Sequence, residues 1–246
     1  MIKEERKGPI AVVTIDRPSR RNALDHATVA ELRKVFAALD ADVSVAAIIL
    51  TGTPPGFCAG SDLKELATLD RDAMAAHEAE TASFARSLAF LDTPVVAAVA
   101  GFALGGGFIL AASCDLVVSE PETRWHLPEV PNGWIPPWGL TVLTARCGPV
   151  AGRRLTWAAS PTDGKEAFRL GIADVLGGNA LEAALVEADA LARLPREAAA
   201  STKRYFARRI MASGEADDAE ANRLFAGDCD SAAARATFQR FGMRSQ

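Results

Sequence analysis

Two short glycine-containing segments carry the residues best suited to chemistry. The first runs from Gly56 to Glu65 (GFCAGSDLKE) and the second from Ala100 to Gly107 (AGFALGGG). Each lies between an apolar, strand-like run and a helical run, so each is expected to expose backbone N–H groups at a helix start. Two such sites that face each other could stabilise an oxyanion. One glycine cluster alone would be weak evidence for such a site. The pair of clusters, in this order and at this spacing, is strong evidence for it.

Short apolar runs predict the strands that must place these segments. The alternation of such strands with stretches of helical spacing predicts an α/β fold. The predicted strands are 10–15, 46–50, 94–99 and 114–118, and the predicted helices between them include 28–39 and a continuous stretch over about 63–91.

From about Thr141 onward the pattern is nearly all helical. The predicted helices there span 180–194, 196–211 and 217–241. We expect residues 1–190 to form a core that binds substrate and carries the catalytic groups. Residues 191–246 are expected to form a helical region that serves oligomerisation or covers the site. Because a helical tail of this size cannot easily bury its apolar stripe alone, it should pack on the core or on another subunit.

Composition narrows the class of protein. The chain has 246 residues, 49% of them hydrophobic and 24% charged, which is typical of a globular protein. Its net charge of −4 gives no reason to expect nucleic acid or an anionic membrane as a partner. Its four cysteines and three histidines lack metal-ligand spacing, so no metal is expected. Without an apolar N-terminal stretch or a run of about 20 apolar residues, a cytoplasmic protein is expected.

Nearly the whole chain resembles the crotonase superfamily, also called the enoyl-CoA hydratase/isomerase family. The resemblance implies a spiral of ββα units with a helical C-terminal region, assembly as homotrimers or dimers of trimers, and an acyl-CoA thioester substrate. Coenzyme A would be part of that substrate, so no separate cofactor is expected. The matching segments are IAVVTIDRP from Ile10, RNAL from Arg21, FCAGSDLKE from Phe57, the glycine run 105–107, HLPEV from His126, LT at 155–156 and AFRLGIAD ending at Asp174.

By position in the family motifs, the oxyanion-hole donors are the backbone N–H groups of Ser61 and Gly106. Each would hold the thioester oxygen as it gains enolate charge, an interaction worth roughly 3–4 kcal/mol in comparable sites. The resemblance also implies a channel for coenzyme A, with Ala23 and Leu24 near its pantetheine and adenine. The remaining channel residues are Ala59, Gly60, Asp62, Leu63 and Lys64, and the candidate phosphate partners are Arg20, Arg21, Lys64, Lys203 and Arg204.

Three acidic residues are predicted to be structural. Asp62 and Glu65 have the spacing of a capping pair at a helix start. Asp115 is predicted to serve as a structural hydrogen-bond partner in the Cys-Asp step.

Hydratases of the family place two glutamates beside a water, and this chain keeps one of them. The position two residues after the glycine run is Ile109, whereas the Pro-Glu step supplies Glu129. A glycine N–H that helps to hold the water in hydratases is replaced by Pro137, which has no N–H to donate. Ile109, Val130 and Trp134 are expected to shield Glu129 from water, which would raise its pKa and make it a better base.

These replacements favour double-bond isomerisation of an enoyl-CoA, in which Glu129 would carry a proton from the α-carbon to the γ-carbon of a 3-enoyl thioester. An enoyl-CoA hydratase with an atypical water site is the alternative within the enzymes. Decarboxylation or carbon–carbon hydrolysis through the same enolate is also open. Outside the enzymes, the alternative is a catalytically inactive acyl-CoA binder. No additional catalytic partner is identifiable from the sequence.

Aromatic residues are dense around Glu129. Trp125, Trp134 and Trp138 could be core residues or could line an acyl pocket for a bulky or cyclic group, and the sequence leaves both open. His126 lies three residues before Glu129, and on an extended segment the two side chains would point to opposite faces. This favours a satisfied polar residue near the site over a catalytic histidine.

Overall fold

The computed structural model describes residues 1–243, and its main layer is a six-stranded sheet. The strands are β1 (Ile2–Lys7), β2 (Ile10–Ile15), β3 (Ala47–Gly52), β4 (Val95–Val99), β5 (Phe102–Leu104), β6 (Leu116–Ser119), β7 (Arg124–His126) and β8 (Val175–Leu176). The sheet has the order β1-β2-β3-β4-β6-β8, and β5 pairs with β7 apart from it. Strand β1 runs antiparallel to β2, and the other neighbouring pairs are parallel.

Helices follow most of the strands, and two short 3₁₀ turns occupy 18–20 and 88–90. The helices are α1 (His26–Ala41), α2 (Leu63–Leu66), α3 (Arg71–Ser87), α4 (Gly106–Ala112), α5 (Glu129–Asn132), α6 (Leu140–Thr156), α7 (Gly164–Arg169), α8 (Ala180–Ala192), α9 (Arg196–Ile210), α10 (Gly214–Asp228) and α11 (Ala232–Met243). Among the described residues, none of these helices has the length and apolar character needed to span a membrane.

The central strands are buried on both faces. Ile48 and Leu50 of β3 face a core that includes Phe36 of α1, while Ile49 faces a second core that includes Ala184 of α8. Parallel strands covered on both sides are expected to have nearly continuous apolar sequences. This is why the apolar runs predicted the strands, and the four predicted strands are confirmed to within two residues.

The small β5–β7 pair brings two helix starts to one edge. Leu104 is in register with His126, and the Gly105 N–H donates to the His126 carbonyl over 2.8 Å. Because the two strands are parallel, the start of α4 after β5 and the start of α5 after β7 lie at the same end. The second glycine segment and Glu129 therefore lie close together.

The C-terminal helices pack on the core of the same chain. Helix α10 lies along α3, and α11 contacts α2 and α5. Trp134 stacks against Phe238 of α11 and meets the edge of Phe225 of α10, with ring centroids 4.9 and 6.3 Å apart. The C-terminal region therefore covers the segments that carry the two helix starts.

Some of the sequence-based element predictions are wrong. The expected continuous helix over 63–91 is divided into α2 and α3, because Asp70 caps α3 by accepting from the Ala73 N–H over 2.8 Å. The expected helix over 217–241 is divided into α10 and α11, which end and begin on either side of 229–231. Strands β1, β5, β7 and β8 were not predicted. The last three residues of the expected 191–246 region lie outside the described residues.

Lys203 of α9 makes an ion pair within the chain. Its ammonium lies 2.6 Å from the Asp115 carboxylate and 3.0 Å from the Thr93 carbonyl, and only 7% of the side chain is exposed. Asp115 also accepts from the Val95 N–H over 2.7 Å, so it is the structural hydrogen-bond partner that was predicted. Because its ammonium is engaged at the start of β4, the structure gives no support to the predicted contact of Lys203 with a CoA phosphate, which stays a prediction. The guanidinium of Arg204, the further candidate, is paired with Asp92 over 3.0 Å.

We predict that Asp115→Ala lowers the free energy of unfolding by about 3 kcal/mol, because it leaves the Lys203 ammonium inside the protein without its counter-charge. Urea denaturation would measure the change. The matched control is Asp92→Ala, which breaks the more exposed ion pair to Arg204 and should cost less than about 1 kcal/mol. Equal losses in the two variants would contradict this account of Asp115.

Candidate active site

The two glycine segments are in direct contact. Loop residues after β3 pair with β5, since the Phe57 N–H donates to the Phe102 carbonyl and the Leu104 N–H to the Cys58 carbonyl, each over 2.9 Å. A Cβ atom on Gly60 would lie 2.8 Å from the backbone nitrogen of Gly106, which is too close for any side chain. Gly60 also has φ +84°, a conformation that favours glycine. Glycine at this position therefore permits the close approach of the two segments.

Two peptide N–H groups are left available where the segments meet. Within the described residues, the backbone N–H groups of Ser61 and Gly106 donate no hydrogen bond. Gly106 begins α4, so its N–H lies at the positive end of the helix dipole. Such a pair of neighbouring donors suits an oxygen that gains negative charge during a reaction.

Glu129 is the first residue of α5 and lies beside these donors. A Cβ atom on Gly105 would lie 2.8 Å from Glu129 Oε1, so this carboxyl oxygen rests against the start of α4. The other oxygen, Oε2, is buried and has no hydrogen-bond partner among the described residues. Burial, with a smaller contribution from the charge of Glu78, raises the pKa of Glu129 to about 8. A carboxylate with this proton affinity can act as a base near neutral pH.

The walls of the cavity at Glu129 are largely apolar. Ile109, Trp134 and Pro137 line it, and its volume is about 50 Å³. Val130, which was expected to shield Glu129, is not among the lining residues and is 38% exposed. That expectation is wrong, because Glu129 begins a helix and its neighbour in sequence points elsewhere.

Glu78 of α3 is a second buried carboxyl in the same cavity, and the sequence analysis missed it. Its Oε2 accepts from the Trp138 indole N–H over 2.8 Å. The Ser61 side chain lines the same cavity, and its interaction with the Glu78 carboxyl group partly offsets the rise in pKa that burial causes. Burial raises the pKa of Glu78 above its ordinary value. A signal was present in the sequence, because Glu78 occupies the buried stripe of α3 between Met74 and Ala82.

Of the tryptophan and histidine residues near Glu129 in the sequence, only two line the cavity. Trp134 and Trp138 line the cavity. Trp125 belongs to the core, where its ring centroid lies 5.0 Å from that of Phe108 and its indole N–H donates to Ser119 over 3.0 Å. His126 lines a different cavity, and its Nε2 lies 3.0 Å from the Ala158 carbonyl oxygen. His126 is thus a satisfied polar residue, as the sequence analysis favoured.

The predicted CoA-channel residues cluster around the first glycine segment. Leu24 pairs with this segment, since its N–H donates to the Gly60 carbonyl over 2.8 Å and its carbonyl accepts from the Asp62 N–H over 2.9 Å. Ala23 is buried next to Leu24, and Lys64 is half-buried at the start of α2. Three further predicted channel residues line the cavity beside Glu129, namely Ala59, Gly60 and Leu63.

The expected capping pair is only half present. Asp62 caps α2 by accepting from the Lys64 N–H over 3.1 Å, and Arg17 pairs with its carboxylate at 3.4 Å. Glu65 does not complete the pair, because it accepts instead from the backbone N–H of His26 over 3.2 Å. This second contact joins α2 to the start of α1.

Two of the candidate phosphate partners remain exposed. Arg20 and Arg21 lie on the surface next to the first glycine segment. The Arg21 carbonyl accepts from the Ala59 N–H over 3.1 Å, and its guanidinium lies 4.7 Å from the centroid of the Phe102 ring. Among residues 1–243, no cluster of His, Cys, Asp or Glu side chains could hold a metal ion.

Comparison with known proteins gives the family. A family model described as enoyl-CoA hydratase/isomerase matches residues 5–244. The chain is 35% identical over 198 residues to "Probable enoyl-CoA hydratase echA8" of Mycobacterium leprae, covering 79% of this chain and 76% of that protein. It is 36% identical over 170 residues to a short-chain-enoyl-CoA hydratase of Clostridium acetobutylicum, covering 68% of this chain and 65% of the relative.

Solved structures share the fold. The crystal structure of an enoyl-CoA hydratase/isomerase from Mycobacterium paratuberculosis superposes with a TM-score of 0.88 at 23% identity, covering 97% of both chains. At this identity the likeness concerns the fold alone, and it agrees with the spiral α/β architecture and helical C-terminal region expected from the sequence. With the family model matching almost every residue, the chain belongs to the enoyl-CoA hydratase/isomerase family, the crotonase superfamily.

Proposed function

We propose that this enzyme isomerises the double bond of an enoyl-CoA thioester, with Glu129 as the proton carrier. The observation that carries the proposal is the Glu129 carboxyl group, whose buried Oε2 has no partner among residues 1–243 and whose Oε1 rests against Gly105. A base held there can reach a carbon next to a thioester whose oxygen lies at the Ser61 and Gly106 N–H groups. Family membership supports acyl-CoA as the substrate class.

The reaction needs two proton transfers. The Glu129 carboxylate removes a proton from the α-carbon of a 3-enoyl thioester, and the electron pair of that C–H bond moves toward the thioester oxygen. The Ser61 and Gly106 N–H groups stabilise the resulting dienolate. Glu129, now protonated, returns the proton at the γ-carbon, and the double bond moves into conjugation with the thioester.

Hydration is the second candidate, and two observations favour it. The relatives compared above carry hydratase names, and Glu78 supplies a second carboxyl group to the cavity.

Two features of the cavity argue against hydration. Ile109 gives an apolar wall where hydratases of the family place a glutamate, and Pro137 has no N–H with which to hold a water. We therefore rank isomerisation first.

We also propose that the acyl group is short. The cavity beside Glu129 measures about 50 Å³, room for only a few water molecules. Trp134 closes it, and this ring is itself held by Phe225 and Phe238. A bulky or cyclic acyl group would have to displace these aromatic residues.

Incubation with trans-3-hexenoyl-CoA in heavy water separates the candidate reactions. We expect a 2-enoyl product with little 3-hydroxyacyl product, as read by mass spectrometry, and any deuterium in it reports exchange of the Glu129 proton with solvent before its return to the γ-carbon. Glu129→Gln should lower kcat by at least about 1000-fold, since an amide cannot accept the proton. Full isomerase activity in Glu129→Gln would contradict the assignment of the base, and accumulation of 3-hydroxyacyl-CoA would favour hydration. Absence of both turnover and exchange would favour an acyl-CoA binder.

The pH dependence follows from the proton affinity of Glu129. Because the base must be ionised and its pKa is about 8, kcat/KM should fall about tenfold for each pH unit below that value and level off above it. A pH series of kcat/KM with 3-hexenoyl-CoA measures this. A profile that is already level near pH 6 would show that a different group removes the proton.

Replacing Trp134 should change the preferred chain length. Trp134→Ala enlarges the cavity, so the kcat/KM for 3-octenoyl-CoA relative to 3-hexenoyl-CoA should rise about tenfold. Trp157→Ala is the matched control, since this tryptophan is 64% exposed and does not line the cavity. An unchanged preference in Trp134→Ala would mean that the acyl chain lies elsewhere.

A further inference from the structure

Glu78 contacts both parts of the site that carry available peptide N–H groups. Its carboxyl group shares the cavity with the Ser61 side chain, which interacts with it and lowers its pKa, and Ser61 carries one of the two N–H groups. The same carboxyl group accepts from the Trp138 indole N–H over 2.8 Å. The Trp138 ring lies against Gly106, since a Cβ atom there would be 2.9 Å from Trp138 Cζ2. One side chain therefore reaches Ser61 directly and Gly106 through a single ring.

We propose that Glu78 is a positioning residue that fixes the Ser61 and Gly106 N–H groups in the orientation needed to stabilise the enolate. The proposal rests on the proposed function, because it assumes that these two groups hold a thioester oxygen. It assigns Glu78 no direct contact with the reacting carbon atoms.

The distribution of hydrogen bonds separates the roles of the two carboxyl groups. Glu78 uses its carboxyl group to hold protein groups, whereas Glu129 has an oxygen without a partner among the described residues. A group that is already engaged by two protein side chains is suited to hold them in place. A group with an unused oxygen is suited to exchange a proton with substrate.

The backbone that presents Glu78 is itself firmly attached. Arg86 of α3 pairs with Asp218 of α10, and Asn222 of α10 donates to the Ala75 carbonyl over 2.7 Å. Asp218 also accepts from the Gly139 N–H over 2.8 Å. The segment that contains Trp138 is thus held by α3 on one side and by α10 on the other. Small errors in such positioning are costly, since a displacement of about 1 Å can lower a rate about 100-fold.

Three variants test the proposal, with 3-hexenoyl-CoA isomerisation and α-proton exchange of butyryl-CoA in heavy water as readouts. Glu78→Leu removes both contacts, and we expect kcat to fall about 100-fold with KM changed by less than about threefold. Glu78→Gln keeps an acceptor for Trp138 and a polar partner for Ser61, so it should restore kcat to within about fivefold of the wild type. Glu80→Gln, on the exposed face of the same helix, should match the wild type.

A further variant covers the case in which Glu78→Leu does not fold. Ser61→Ala removes the hydroxyl group and keeps the backbone N–H, so we expect a roughly tenfold lower kcat with an unchanged thermal midpoint. In the Glu78→Gln background the same substitution should also lower kcat, whereas in a folded Glu78→Leu protein it should have little further effect. A purely structural role would move the thermal midpoint and leave the kcat of the folded enzyme unaltered.

The outcomes that overturn the proposal are distinct from those that overturn the proposed function. Wild-type kcat in folded Glu78→Leu, or in Ser61→Ala, would remove Glu78 from the positioning role. A Glu78→Gln variant as inactive as Glu78→Leu, at unchanged KM, would show that Glu78 transfers a proton. A wild-type enzyme with neither turnover nor exchange would overturn the proposed function, and the Glu78 assignment with it.

Discussion

The contact between Gly60 and Gly106 is the constraint on which the site depends. The space between the two segments is too small for a Cβ atom, so the backbone of one helix start rests directly on the other. Backbone N–H groups placed by such contact cannot rotate away as side chains can, and they need little reorganisation when charge develops nearby. Strands β3, β5 and β7 position the two segments, because the register of these strands determines where each segment begins.

Burial gives the same site its acid–base character. Glu129 and Glu78 are both withdrawn from water, and withdrawal disfavours the ionised form of each. The charge of Glu78 adds to the rise in the pKa of Glu129 that burial causes. Glu78 is held by the Trp138 indole N–H and shares the cavity with Ser61, whereas Glu129 Oε2 has no hydrogen-bond partner among the described residues. Carboxyl groups whose pKa values are raised by burial in a cavity are typical of sites that transfer protons.

The sequence predicted the elements whose signals are local. Buried parallel strands such as β3 are continuous apolar runs, and the two glycine segments mark helix starts that need close approach. The strands β5 and β7 have three residues each, too few for any periodicity, and β1 is an edge strand whose side chains are mostly exposed. The role of Glu78 depends on how α3 packs against Trp138, 60 residues away in the chain, and no local pattern contains that information. The ion pair of Lys203 was missed for the same reason, since its partner Asp115 is 88 residues distant.

The position of Trp134 between Phe225 and Phe238 has a consequence for how the enzyme can change. Trp134, which forms part of the cavity wall, is supported by α10 and α11, whereas Glu129 and the Ser61 and Gly106 N–H groups belong to α5, the loop before α2, and α4. This wall and the proposed catalytic groups are therefore encoded in separate stretches of the chain. Substitutions at Phe225 or Phe238, which contact Trp134, can reshape this wall while the proposed catalytic groups keep their sequence, and this gives the scaffold an evolutionary path to new substrates.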